Sequence, residues 1–199
     1  MHTLPWTAPP GIAGLIFDCD GTLADTMPTH YLAWQAMLGP YGIPFPEPRF
    51  YAMGGIPTER IIRALAADAG VAVTDVEAMV LEKERLFLQH LDALAPIVPV
   101  VAVAAAYRGK LAMAVASGGY RDVVASTLER LQLRDWFAAL VTAEDTTRHK
   151  PEPDVFLEAA RRLGVEASAC AVFEDTDIGL QAARRAGMLA VDVRPWGKV

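Results

Sequence analysis

Apolar residues recur along this chain in two rhythms. Short unbroken runs, the pattern of strands buried on both faces, predict strands at residues 14–18, 110–116, 138–142, 169–173 and 189–193. Between the later runs the period changes to that of a helix. Val123, Val124, Leu128 and Leu131 share one face of a predicted helix over 120–131. Helices over 153–163 and 178–186 each stop at a glycine, Gly164 and Gly187, and the first begins at Pro153. Strands alternating with helices predict an α/β fold, a doubly wound parallel sheet with right-handed crossovers.

The stretch between the first two strands differs in kind. Residues 27–95 carry helical periodicity and no convincing strand. Helices are predicted over 31–38, 57–69 and 75–91, the last opened by a capping box formed by Thr74 and Glu77. The turn-rich run of Gly39, Pro40, Gly42, Pro44 and Pro46 separates the first two. The expected organisation is therefore an α/β core from 11–26 and 96–199, an all-helical insert at 27–95, and a tail at 1–10. The apolar run 96–106 is about half the ~20 residues a membrane-spanning helix needs, and Pro99 interrupts it.

The first strand ends in Asp18, Cys19, Asp20 and Gly21. On an extended backbone Asp18 and Asp20 point the same way. Two like charges side by side are costly unless a cation or a shared proton offsets them. Gly21 lets the chain turn away at once. Other strands end in chemistry too, where open α/β sheets place their sites. Ser117, Gly118 and Gly119 offer a hydroxyl and backbone amides, a natural phosphate cradle. Glu174 and Asp175 offer the hard oxygens that Mg²⁺ prefers. Asp177 reads best as the N-cap of the helix that follows.

The run Asp18-x-Asp20-Gly21-Thr22-x-x-Asp25-Thr26 resembles the first signature of the haloacid dehalogenase superfamily of phosphoryl-transfer enzymes. Ser117, the Lys150-Pro151-x-Pro153-Asp154 segment and the Glu174-Asp175 pair resemble its later motifs. The resemblance implies that Asp18 is a nucleophile that becomes an aspartyl phosphate and that Asp20 is a general acid and base. It implies that Ser117 and Gly118 hold the phosphoryl group and that Lys150 offsets charge in transfer. Mg²⁺ would be held by Asp18, Asp175 and the backbone carbonyl of Asp20. Glu174 would act through a bound water or orient Lys150. The helical insert would be a cap that closes over the site, hinged near Thr26 and Pro28.

Within that superfamily the insert entry, from Asp25 to His30, resembles the β-phosphoglucomutase-like subgroup. Mutases of that subgroup grip a second phosphate with a Lys and, four residues on, an Arg. Here Met53 and Pro57 stand at those positions, and neither binds an anion. Arg60 or Arg63 remains as a substitute from the helix. The pattern Gly55-x-Pro57-Thr58-x-Arg60 resembles the sugar-phosphate phosphatases of the fructose-1-phosphatase and 6-phosphogluconate phosphatase type, making Gly55 and Thr58 substrate-contact candidates. His30 matches a position that poises the general acid in the mutases, or else it is an exposed helix residue. The expected activity is Mg²⁺-dependent hydrolysis of a small phosphorylated sugar. A phosphosugar mutase is the alternative, and a binding protein without turnover is a third class.

Composition adds exclusions. The 199 residues are 53% hydrophobic, enough for a sizeable core, and the net charge is -6 with no basic cluster. That balance argues against a nucleic-acid surface. No charged-then-apolar leader pattern opens the chain, so a cytoplasmic location and no membrane association are expected; the resemblance to small-cap enzymes, with no interface signal in the sequence, implies a monomer. Cys19 and Cys170 read as small buried hydrophobes rather than a disulfide.

Overall fold

The computed structural model describes residues 4–197. Five strands form one parallel sheet: β1 (Gly14–Phe17), β2 (Ala112–Ala116), β3 (Ala139–Val141), β4 (Cys170–Glu174) and β5 (Leu189–Asp192), in the order β3-β2-β1-β4-β5. Each lies within two residues of its predicted bounds, and the doubly wound α/β fold is the observed one. β1 is central, paired with β2 on one side and β4 on the other. The strand order reverses there, which opens a crevice beyond the carboxyl ends of the strands.

Alternation along the strands builds two apolar layers. Leu15, Phe17, Val115 and Phe173 face one layer, with Phe17 and Phe173 stacked at 4.5 Å. Ile16, Ala114, Val141 and Val172 face the other, against helix α7 (Asp154–Leu163) and helix α8 (Asp177–Arg185), through Val155, Phe156, Ala182 and Ala183. The tail joins the first layer through Trp6, whose ring meets Phe173 edge-on at 4.9 Å.

Between β1 and β2 the chain is helical: α1 (Met27–Leu38), α2 (Glu47–Ala52), α3 (Thr58–Ala69), α4 (Val76–Leu88) and α5 (Val98–Tyr107), with α6 (Arg121–Arg130) following β2. The insert has a core of its own, in which Trp34, Phe45, Phe50, Ile62 and Leu65 meet. A smaller cluster of Ala33, Phe87, Leu94 and Val123 joins α1 and α4 to α6.

Several expectations change. The Thr74–Glu77 capping box does not form: Asp75 is the N-cap, its Oδ1 accepting from the Ala78 amide at 2.9 Å. Asp177 is not a cap either, because the Thr176 hydroxyl oxygen accepts from the Gly179 amide at 3.1 Å, leaving Asp177 in the first turn. The run containing Pro99 is helix α5, with the proline in the first turn, where a missing N–H has no intrahelical partner to lose. Helix α2, directly after Pro46, was not legible in the turn-rich stretch. Among the described residues no helix is long and apolar enough to cross a membrane.

Candidate active site

All ten candidate residues line one cleft of about 520 Å³ between the carboxyl ends of the strands and the helical insert. Asp18 and Asp20 arrive from β1, Ser117 and Gly118 from β2, Glu174 and Asp175 from β4. Lys150 comes from the segment before α7, His30 from α1, and Gly55 and Thr58 from the turn into α3.

On the sheet side the arrangement is dense with charge. Lys150 Nζ donates to Asp18 Oδ1 and to Glu174 Oε2, both at 2.7 Å, and all three side chains are buried. Burial alone would strip the ammonium of its proton, but the carboxylates of Asp18 and Glu174 outweigh it and hold its pKa up. Asp18 moves upward as well: burial is the main cause, and Glu174 adds to it beyond what Lys150 offsets. Asp175 is raised to about 7 by burial and then by Glu174. The sheet side thus holds more buried negative charge than its single lysine neutralises.

That imbalance suits a divalent cation. Asp18, Glu174 and Asp175 each offer a carboxylate oxygen, and these atoms all lie within 4.8 Å of one another. Hard oxygens at this spacing fit Mg²⁺. Glu174 has other engagements, since its Oε1 accepts from the Thr176 amide at 3.0 Å and from the Thr176 hydroxyl. Its Oε2 is the acceptor for Lys150. Two glycines make room for these carboxylates. A Cβ on Gly21, whose φ is +76°, would lie 2.2 Å from Asp175 Oδ2, and one on Gly179 would lie 2.1 Å from Glu174 Cδ.

Asp20 turns away from this cluster. Its Oδ1 accepts from the Thr26 hydroxyl at 2.7 Å and faces His30 Nε2 at 3.3 Å. His30 is buried and stacked on Phe87 at 4.0 Å, so it is not an exposed helix residue. Its Nδ1 lies 2.9 Å from Lys83 Nζ. An ammonium has only protons to give, so Nδ1 accepts and the neutral ring carries its hydrogen on Nε2, directed at Asp20. Burial, then the Lys83 charge, lowers the His30 pKa and keeps the ring neutral. Burial pushes Asp20 up, but His30, Thr26 and Lys83 together reverse that and hold it at about 2.

Lys83 was not singled out from the sequence. Flanked by Glu82 and Glu84, it reads as part of a solvated charge run. A signal was present, however: with Val76, Met79, Val80 and Phe87 it completes the buried stripe of α4 at helical spacing. Conversely, Arg60 and Arg63 are exposed and do not line the cleft, and Arg63 pairs with Glu59 at 2.8 Å. Neither replaces the missing second anion grip. Cys19 and Cys170 are buried free thiols. Burial and the neighbouring Asp20 and Asp18 charges push the Cys19 pKa well up, which makes it inert packing.

Residues 15–193 match the model of the haloacid dehalogenase-like hydrolases. The chain is 45% identical to fructose-1-phosphate phosphatase YqaB of Escherichia coli K12 over 183 residues, covering 92% of this chain and 96% of that one. It is 31% identical to β-phosphoglucomutase of Bacillus subtilis, covering 90% and 82%. Among solved structures, a β-phosphoglucomutase from Clostridium difficile superposes with a TM-score of 0.81 at 22% identity over 91% of this chain and 84% of that one, a likeness of fold. With its strand-end carboxylates, buried lysine and helical insert in place, the chain belongs to the haloacid dehalogenase-like hydrolase family.

Proposed function

We propose that this protein is a Mg²⁺-dependent phosphatase of small phosphorylated sugars, working through an aspartyl phosphate on Asp18. The observation that carries this reading is the convergence of Asp18, Asp20, Ser117 and Lys150 in one cleft, with the lysine bonded to Asp18 and Glu174. Asp18, Asp175 and the Asp20 backbone carbonyl would hold the metal, with Glu174 beside them. When bound, the ion supplies positive charge that lets a phosphate dianion approach a carboxylate.

The chain's own residues do the rest. Ser117 and the Gly118 amide bind phosphoryl oxygens, and the Lys150 ammonium offsets charge as the bond order shifts. Asp18 attacks phosphorus while the bond to the sugar oxygen breaks, and Asp20 gives that oxygen its proton. A water then attacks the phosphoryl group, Asp20 takes its proton, and Asp18 is restored with release of phosphate. Before substrate binds Asp20 is ionised, held low by His30 and Thr26. An incoming phosphate dianion pushes the other way and raises its proton affinity, so Asp20 takes up a proton from solvent as the substrate binds, gives it to the leaving oxygen, and then takes one from the attacking water. The helical insert acts as a cap over this chemistry, hinged near Thr26.

Hydrolysis is favoured over phosphosugar mutation. A mutase must hold a second phosphate, and Met53, which lines the cleft where the grip would stand, cannot do so. The 45% identity to a protein named for hydrolysing fructose 1-phosphate supports the same choice. The test is incubation with Mg²⁺ and β-glucose 1-phosphate, fructose 1-phosphate and 6-phosphogluconate, primed with a trace of glucose 1,6-bisphosphate. Free phosphate equal to free sugar is expected. Glucose 6-phosphate formed without free phosphate would establish the mutase instead.

A further inference from the structure

Away from the phosphoryl pocket, the cleft is poor in available positive charge. Three cationic side chains line the whole cleft against six carboxylates, four of which sit with Lys150 in the phosphoryl pocket, and each of the three cations is already engaged. Lys150 belongs to Asp18 and Glu174. Arg194 is paired with Asp177 at 2.9 Å and Asp192 at 2.7 Å. Lys83, on helix α4 of the insert, donates to Glu84, with both carboxylate oxygens at 3.1 Å. The Lys83 side chain is only 5% exposed, while Glu84 keeps 13% and lines the cleft. Both side chains line the cleft, and the carboxylate is the more exposed of the two. Tyr120, next to the Gly118-Gly119 turn, senses the same field: burial, then the charges of Glu84, Glu59 and Glu144, raise its phenol pKa.

We infer that Glu84 is a specificity-determining residue that makes the insert side of the cleft reject a second anionic group, so that the substrate is a monophosphate ester whose remaining part is uncharged. This rests on the phosphatase reading and narrows its substrate class. The physical basis is direct. A carboxylate or second phosphate on the far end of the substrate would have to displace Glu84 from Lys83 or lie beside it, where like charges repel through a partly dehydrated medium. Sugar hydroxyls face no such penalty, and they can donate to the Glu84 oxygens.

The test compares matched esters that differ in charge at the far end: fructose 1-phosphate against fructose 1,6-bisphosphate, and glucose 6-phosphate against 6-phosphogluconate. The wild-type enzyme is expected to prefer the neutral member of each pair in kcat/KM. Glu84→Gln should shrink that preference about tenfold, chiefly through KM for the anionic member, since it removes one unit of repulsion. Glu84→Asp, which keeps the charge, should retain it. The ratio is read within each variant, so a general loss of rate does not obscure it. Affinities of the same esters for Asp18→Asn and for the Asp18→Asn, Glu84→Gln double variant, measured by calorimetry, give the same comparison without turnover. If no ester is hydrolysed, the phosphatase reading falls while calorimetry still decides the role of Glu84. A preference that is absent in the wild type, or unchanged in Glu84→Gln by both measurements, overturns the inference.

Discussion

The two walls of the cleft are built by different means. On the sheet wall, Asp18, Ser117, Glu174 and Asp175 sit at the ends of neighbouring strands, so parallel pairing alone brings them together. Their charges are buried, mutually repelling, and tied to one lysine. On the insert wall, Lys83, Glu84 and His30 come from two helices of a separate hydrophobic core, and their charges nearly balance. The sheet wall is in electrostatic tension that a divalent cation would relieve. The insert wall pairs its charges, with the Glu84 carboxylate more exposed than the Lys83 ammonium. The two walls meet at Asp20, which faces His30 across the cleft at 3.3 Å.

The largest effect should come from the nucleophile. Asp18→Asn keeps the shape and is expected to lower kcat by at least about 10³-fold in a phosphate-release assay while circular dichroism stays unchanged. Retained turnover would break the comparison at its base. Next, Lys150→Ala leaves two buried carboxylates without their partner. Urea unfolding should show a loss of about 3–5 kcal/mol, whereas Lys83→Met, whose partner Glu84 still reaches water, should cost about 1–3 kcal/mol. Equal losses would mean that the two walls are not so different.

The pH dependence sharpens the contrast. Asp175 has its folded pKa raised from 3.8 to about 7, so the folded chain holds a proton there that the unfolded chain has released. Its contribution is fully present below the unfolded value and is lost as pH rises through 7. In metal-free protein, Asp175→Asn should therefore gain stability relative to wild type as pH rises from about 5 to 7.5, read as the difference in Tm. Mg²⁺ should restore the wild type but not the variant. The smallest effect belongs to the exposed arginines. Arg60→Ala and Arg63→Ala should each change stability by less than about 0.5 kcal/mol and leave turnover unaltered. A loss confined to bisphosphate esters would revive a second anion grip.

Much of the sheet wall was legible before any coordinates. Strand ends in a parallel sheet converge by topology, so carboxylates, hydroxyl and lysine at those ends can be placed from the pattern of apolar runs alone. Helix α5 was harder. Its four valines favour a strand and Pro99 suggests a break, yet Val100, Val103 and Ala104 make one face that packs on the sheet. His30 stood open between two roles because a helix position carries no sign of what lies across the cleft.

By itself the sequence determined the five strands, the separate helical insert and the candidate residues gathered at the strand ends, because those follow from periodicity and from chemistry placed where strands finish. Only the tertiary structure decided that Lys83 is buried against His30, that Glu84, paired with that lysine, lies at the cleft wall, and that Arg60 and Arg63 do not line it. These contacts join residues far apart in the chain across two packed cores, where the local pattern carries no information about the partner.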